Sequence, residues 1–183
     1  MIAASTRPGR KGIAVARWIQ RQAEAHGAFD VELVDLADVG LPVFDEPNHP
    51  RLQQYTQQHT RDWSATISRS DAFVFVTPEY NHSLPGSLKN ALDFLHAEWA
   101  DKAAGTVSYG GVSAGLRAAT ALKRVLASLR VVPAVEAVSI PFFAQFLDED
   151  DEFVPNAEFK VGAKAMLEEL ARLSGALRTL RAA

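Results

Sequence analysis

The chain has 183 residues, of which 48% are apolar, so it is long enough to build one sizeable hydrophobic core. Its 19 basic and 22 acidic residues give a net charge of −3, which argues against a nucleic-acid-binding surface. The absence of cysteine excludes disulfides, a thiolate nucleophile and a zinc–thiolate site, and it is consistent with a reducing cytoplasm. No apolar run approaches the ~20 residues of a membrane span, and no signal-peptide pattern is present, so we expect a cytoplasmic protein without a membrane partner.

Strand-like and helix-like segments alternate along the chain. Buried strands are indicated by short apolar runs, and helices by apolar residues that recur every three or four positions. In chain order the pattern predicts a strand at 1–4, a helix at 12–26, a strand at 29–36, a helix at 52–68, a strand at 72–76, a helix at 86–97, a strand at 105–108, a helix at 114–129, a strand at 131–138 and a helix at 157–180. Gly27 is expected to end the first helix, and Pro133 to place the last strand at an edge or a bulge.

This alternation predicts an α/β protein in which helices cover both faces of a five-stranded parallel sheet, giving three layers. Five strands suit the flavodoxin-like order 2-1-3-4-5, with right-handed crossovers. Because no repeat or linker interrupts the pattern, residues 1–183 are predicted to form one domain. The first strand is expected to be incomplete, since only four residues precede Ser5 and a typical strand has ~5–6. Either residues upstream of Met1 are missing, or the central strand is short and the protein less stable.

The loops after the first and third predicted strands have the chemistry of a mononucleotide site. Ligands of open parallel sheets bind at the carboxyl ends of the strands, where both loops lie. A helix N-terminus offers free N–H groups and a positive dipole to a phosphate. Ser5 and Thr6 add hydroxyl groups, and Arg7 can contact phosphate oxygens in a bidentate way. Arg10 or Lys11 supplies a second positive charge. The alternative is an ordinary capped turn with solvated cations.

The second of these loops and the helix after it contain a long, ordered motif. Pro-Glu-Tyr-Asn at 78–81 is followed by Ser83, Pro85, Leu-Lys-Asn-Ala at 88–91 and Asp93. This pattern resembles that of the NADPH-dependent FMN reductase family, which is flavodoxin-like. The loop at 5–10 also resembles the family's FMN phosphate loop, and Ser-Tyr-Gly-Gly at 108–111 is a weaker third match.

The resemblance implies an FMN site at the sheet edge. The phosphate would lie on the loop at 5–10, the flavin ring along 78–81, and the pyrimidine side of the ring at 108–111. In the family, the second loop contacts the flavin through backbone groups and the asparagine side chain, here Asn81. The implied cofactor-binding residues are Ser5, Thr6, Arg7, Arg10, Pro78, Glu79, Tyr80, Asn81, Ser108, Tyr109, Gly110 and Gly111. The structural alternatives are a turn in which Tyr80 packs and Asn81 or Ser83 caps the next helix, and a plain turn at 108–111.

The activity implied by the resemblance is that of an FMN-dependent NAD(P)H oxidoreductase. Hydride would pass from NADH or NADPH to the flavin, and electrons would then pass to a flavin, quinone, azo or metal acceptor. We assign no catalytic side chain, and no metal site is expected because the histidines lack metal-ligand spacing. One alternative is a flavodoxin-like electron carrier without NAD(P)H turnover, which the mild net charge of −3 weakly disfavours. Another is a flavin-free relative that binds a different phosphorylated ligand.

Family members commonly form dimers, so a homodimer or tetramer is expected. Two groups of aromatic and histidine residues are candidate contacts, one on the predicted helix at 86–97 and one after the last strand. They are Phe94, His96 and Trp99, and Phe142, Phe143 and Phe146. The alternative is that these side chains complete the core of a single chain. The acidic run at 148–152 is predicted to be a solvated loop.

Overall fold

A parallel sheet of six strands forms the centre of the structure, a computed structural model that describes residues 1–181. The strands are β1 (Ile2–Ala3), β2 (Val34–Asp35), β3 (Ala72–Pro78), β4 (Ala103–Tyr109), β5 (Val132–Pro133) and β6 (Val138–Ile140). Their order is β2-β1-β3-β4-β5, with β6 also pairing with β4, and all pairs are parallel. The predicted flavodoxin-like order is therefore confirmed.

Helices cover both faces of this sheet. They are α1 (Gly12–His26), α2 (Leu36–Val39), α3 (Gln58–Ser68), α4 (Gly86–Asp93), α5 (Leu116–Ser128) and α6 (Ala157–Arg181). The alternation of side chains along β3 divides the core, because Phe73 and Phe75 pack with α3, α4 and α5 while Val74 and Val76 pack with α1 and α6. β3 is buried on both faces, as its continuous apolar run predicts.

The predicted fifth strand is two short strands. β5 pairs with β4 at Ala103 and Ala104, and β6 pairs with β4 from Val107 onward. The difference between paired residue numbers is 29 where β5 pairs with β4 and 31 where β6 pairs with β4. Between these two pairings the chain that joins β5 to β6 therefore has two residues more than β4 has. Pro133 has no N–H to donate and lies in β5, an edge strand of the sheet. The Ala134 N–H still donates to the Ala104 carbonyl at 2.8 Å, and the chain bulges after it, so the prediction of an edge position or a bulge is confirmed.

Two other predicted elements are shorter than expected. The strand at 29–36 is reduced to β2, because its partner β1 offers two residues for pairing. The helix at 52–68 begins at Gln58, since Gln53 has a left-handed backbone with φ of 51° and breaks the helical path. The segment that leads into α3 is held by the Glu46 carboxylate, which accepts the N–H groups of Thr56 at 2.8 Å and Gln57 at 3.0 Å.

The aromatic side chains at the end of the predicted 86–97 helix belong to the core. α4 ends at Asp93, and Phe94 and Trp99 are both fully buried. The Trp99 indole donates to the Leu92 carbonyl at 3.2 Å and its ring meets Trp63 edge to face. The expectation that Phe94 and Trp99 contact another subunit is therefore wrong, because both rings fill the space between the sheet and its helices. Among residues 1–181, no helix is long and apolar enough to cross a bilayer.

Candidate functional site

A crevice of about 430 Å³ opens at the carboxyl ends of the strands. It lies where the loops after β1, β3 and β4 meet, which is the edge at which open parallel sheets bind their ligands. Ligand pockets of small molecules have volumes of roughly 300–1,000 Å³, so one cofactor-sized ligand fits this space. Nine of the twelve predicted residues line it, three from each loop, and Thr6, Asn81 and Ser108 do not.

The loop after β1 brings Ser5, Arg7 and Arg10 to one end of the crevice. It turns through Gly9, whose φ of 69° lies in the left-handed region, and the Arg10 N–H donates to the Arg7 carbonyl at 3.1 Å. The chain then enters α1, whose N-terminus has no side-chain cap. Its first N–H groups and the positive end of its dipole face this end of the crevice, which suits an anion. Thr6 lies on the other side of the loop, beside α2 and α4.

The cations at this end differ in what they already bind. Arg10 forms an ion pair with Asp35 at the end of β2, and its buried Nε atom has no hydrogen-bond partner among the described residues. Lys11 pairs with Asp151, and Arg17 lies 3.7 Å from Glu152. The acidic run at 148–152 is a loop whose first four residues are exposed, as predicted, and ion pairs attach its end to the start of α1.

Arg7 is exposed and lines the crevice. Its side chain makes no ion pair or hydrogen bond with any residue in the range 1–181. It is therefore the cation of this loop whose guanidinium is available to a ligand.

The loop after β3 is a tight hairpin held against the first loop. The N–H groups of Tyr80 and Ser83 each donate to the other residue's carbonyl at 3.0 Å. Asn81 and His82 both have left-handed backbones, with φ of 48° and 66°, as a two-residue type I′ turn requires. Both side chains are exposed at the tip, outside the crevice, and neither Asn81 nor Ser83 caps α4, which has no side-chain cap. The Tyr80 hydroxyl lies 2.7 Å from Ser5 Oγ, so a hydrogen bond joins the two loops.

Glu79 anchors this hairpin to the N-terminus of α5. Glu79 lines the crevice, and its carboxylate, 7% exposed, pairs with the Arg117 guanidinium and accepts the Arg117 N–H at 3.1 Å. Arg117 is the second residue of α5, whose own first turn has no acidic residue, so Glu79 supplies the anion at that helix N-terminus. Burial raises the pKa of Glu79, but the hydrogen bonds from Arg117 outweigh burial and the net pKa is lowered.

The loop after β4 contributes a buried tyrosine and two glycines. Tyr109 packs so closely on the start of α1 that a methyl group on Gly12 would lie 1.7 Å from the tyrosine oxygen. Burial raises the pKa of Tyr109, so its hydroxyl is neutral at pH 7. Gly110 and Gly111 line the crevice beside it, and nothing lies within 4 Å of a Cβ built on Gly111. Ser108 is buried instead, where its hydroxyl donates to the Ala114 carbonyl at 2.9 Å and shapes the following turn.

A fourth wall of the crevice was missed by sequence reasoning. It comes from residues 142–145, directly after β6, and Phe142 and Phe143 face the space. The topology could have indicated it, because a loop that follows the last parallel strand must emerge at the same edge as the other three.

FMN fits the chemistry of this crevice. One end has an uncapped helix N-terminus, the Ser5 hydroxyl and the unpaired Arg7, which match a phosphate. The aromatic side chains of Tyr80, Tyr109 and Phe143 also line the crevice, with open backbone at Gly111, and they match a planar ring system.

Comparisons with known proteins identify the family and the fold. The family described as NADPH-dependent FMN reductase matches residues 1–145. The chain is similar to an NAD(P)H-dependent FMN reductase of Schizosaccharomyces pombe, with 42% identity over 145 residues that cover 77% of this chain and 72% of the relative. It is also similar to a quinone reductase of Pseudomonas putida, with 35% identity over 111 residues and 57% coverage of both chains. Among solved structures, the flavoenzyme NAD(P)H:(acceptor) oxidoreductase FerB of Paracoccus denitrificans superposes with a TM-score of 0.72 at 24% identity, over 93% of this chain and 95% of FerB. At that identity the likeness establishes the fold.

Proposed function

The chain belongs to the NADPH-dependent FMN reductase family and is an oxidoreductase that uses NAD(P)H and FMN, and we propose that the crevice at the sheet edge holds the FMN. The main support for this assignment is that all three motif loops line one space. The hydrogen bond between Ser5 and Tyr80 joins two of these loops. When bound, FMN supplies the two-electron chemistry, taking hydride from the nicotinamide and returning the electrons to an acceptor.

The protein's own part is to bind and orient. The N-terminus of α1 would hold the dianionic phosphate, with Arg7 providing a charge-assisted hydrogen bond and Ser5 a hydroxyl. Arg10 is held by Asp35, whose carboxylate offsets much of its charge, so Arg10 would contribute less than Arg7. The Tyr80 hairpin and the backbone of Gly110 and Gly111 would hold the ring system. Glu79 acts through its backbone and through its anchor on α5.

Asn81 and Ser108 have different parts in this proposal. The exposed Asn81 lies at the hairpin tip, where its side chain can approach the edge of a bound ring only from outside the crevice. Ser108 shapes the turn that places Gly110, and Thr6 faces away toward α2. No side-chain acid or base is required for hydride transfer between the two rings, so we assign the side chains of this site binding and orienting roles alone.

A fluorescence titration with FMN and an assay of nucleotide oxidation test the proposal directly. Purified protein titrated with FMN should quench flavin fluorescence with 1:1 stoichiometry, and the complex should oxidise NADPH or NADH in the presence of ferricyanide. A complex that binds FMN but never consumes either nucleotide would support the electron-carrier alternative. A protein that leaves FMN fluorescence unchanged would support the flavin-free alternative.

The proposal also includes an electron acceptor, an oligomeric state and a cellular location. The P. putida relative is named a quinone reductase, which supports a quinone acceptor here; free flavin, an azo compound and a metal ion are tested alongside it. We propose a homodimer or tetramer, supported by exposed apolar side chains such as Val43 and Leu52, and light scattering measures its mass. A cytoplasmic location is supported by the absence of cysteine and is tested by cell fractionation.

A further inference from the structure

Phe142 combines three properties that rarely occur together. It lines the crevice, it is 50% exposed, and its backbone has a φ of 46°. A bulky side chain in the left-handed region is a genuine outlier, because its Cβ crowds the backbone there. Glycine or asparagine would occupy the same position at lower cost. Strain of this kind persists only where the surroundings impose it, and it concentrates at functional sites.

The backbone around Phe142 imposes this conformation. The Phe142 N–H donates to the Gly111 carbonyl at 3.1 Å, and the Phe143 N–H donates to the Gly110 carbonyl at 3.2 Å. The Gln145 N–H then returns to the Phe142 carbonyl at 2.9 Å. These bonds fix the segment to the loop after β4, one of the three loops of the proposed flavin site.

The two adjacent phenylalanines have different surroundings. The Phe143 ring packs against Tyr109 with 4.9 Å between ring centroids, so it completes the inner wall. Phe142 makes no aromatic contact among residues 1–181, and half of its surface remains in water. Its side chain therefore adds little to the core. Packing within the chain thus does not explain why an aromatic residue occupies this strained position.

We propose that Phe142 is a stacking platform for the planar ring of the electron acceptor, and that it gives the enzyme a preference for aromatic and quinoid acceptors over metal complexes. This inference rests on the proposed function. An aromatic face favours offset stacking with another flat ring and offers nothing comparable to an octahedral anion such as ferricyanide. The platform stands at the mouth of the crevice, next to Gly111, where the second substrate must enter once the flavin fills the interior.

The test compares acceptors in three variants of the FMN-loaded enzyme. Phe142→Asn keeps a residue that tolerates the left-handed backbone but removes the aromatic face. Phe142→Tyr retains the face. Val112→Ala is the matched control, because Val112 is 79% exposed next to Gly111 but does not line the crevice. For each, KM is measured with 1,4-naphthoquinone and with ferricyanide at saturating NADPH, and FMN affinity is measured by fluorescence.

We expect the KM for 1,4-naphthoquinone to rise about 2- to 10-fold in Phe142→Asn, which is the fold-change that the loss of one aromatic pair predicts. The KM for 1,4-naphthoquinone in Phe142→Tyr and in Val112→Ala should match that of the unsubstituted enzyme. The proposal is overturned if the KM values for naphthoquinone and ferricyanide rise by the same factor, if neither changes, or if the effect follows a change of oligomeric state measured by light scattering. A failure of the unsubstituted protein to bind FMN would refute the proposed function instead, and the fluorescence titration separates the two outcomes.

Discussion

Replacement of Arg7 by alanine tests the phosphate end of the crevice most directly. Three cations follow β1, but Arg10 is paired with Asp35 and Lys11 with Asp151. Arg7 alone of the three has a side chain without an ion pair or hydrogen bond among residues 1–181, and it is exposed at the crevice. Its loss should therefore weaken FMN binding without breaking an interaction of the folded protein.

The size of the effect follows from the chemistry of the contact. A hydrogen bond to a charged group contributes about 1.5–3 kcal/mol, and ~1.4 kcal/mol corresponds to a factor of ten in the dissociation constant. Because Arg7 is exposed, solvent screens the contact and the lower half of the range applies. We expect the dissociation constant of FMN to rise roughly 10- to 50-fold in Arg7→Ala, with the midpoint of thermal unfolding of the apoprotein unchanged within about 2 °C.

The assay is a fluorescence titration with FMN and, separately, with riboflavin, which lacks the phosphate. Arg7→Ala should weaken FMN binding and leave the affinity for riboflavin unchanged. Arg17→Ala is the matched control, since Arg17 is an exposed arginine of α1 that lies outside the crevice. Equal FMN affinity in Arg7→Ala and the unsubstituted protein would refute the assignment of Arg7, and an equal loss for riboflavin would show that the residue acts on the ring system.

Three further substitutions test the scaffold of the site. Glu79→Gln removes the anion at the N-terminus of α5, so we expect about 1–2 kcal/mol less unfolding free energy in urea and several-fold weaker FMN binding; no change in either quantity would contradict its anchoring role. Gly12→Ala places a methyl group 1.7 Å from the Tyr109 oxygen, which should cost about 1–3 kcal/mol and weaken FMN binding, whereas Gly175→Ala in α6 meets no atom within 4 Å and should be neutral or stabilising. Burial raises the pKa of Glu46, but hydrogen bonds from the start of α3 lower it to about 2, so the unfolded chain binds the proton more tightly. The unfolding free energy should therefore fall by about 2 kcal/mol as the pH drops from 5 to 2, and Glu46→Gln should flatten that dependence. If the unfolding free energies of the two proteins, measured by urea titration, change equally with pH, this stabilising role of Glu46 is excluded.

The sequence predicted the parts of the structure that depend on local patterns. α1 has the predicted bounds, because its apolar residues recur regularly and Gly27 supplies the left-handed residue that ends it. β3 is apolar throughout because helices cover both of its faces, and the motif loop follows it at the expected edge. Strand order followed from the same alternation, together with the handedness of parallel crossovers.

What the sequence missed depends on contacts between distant parts of the chain. The pairing of Lys11 with Asp151 joins residues 140 positions apart, and no periodicity indicates such a partner. Without that contact and the pair between Arg10 and Asp35, Arg10 and Lys11 remained alternatives for the second positive charge beside Arg7. The burial of Phe94 and Trp99 was equally hidden, because an aromatic residue beyond a helix end has the same pattern in a core and in an interface.

The site residues show why a motif is more than a set of ligand contacts. Glu79 belongs to the motif but directs its carboxylate at α5, and Ser108 belongs to the third loop but bonds to the turn beneath it. Both side chains hold loop backbone in place, and the proposed flavin site presents backbone at Gly110 and Gly111. A substitution at either residue should therefore act on cofactor affinity through loop position. Loss of affinity for FMN and riboflavin by the same factor would mark such a residue, in contrast to the phosphate-dependent loss expected at Arg7.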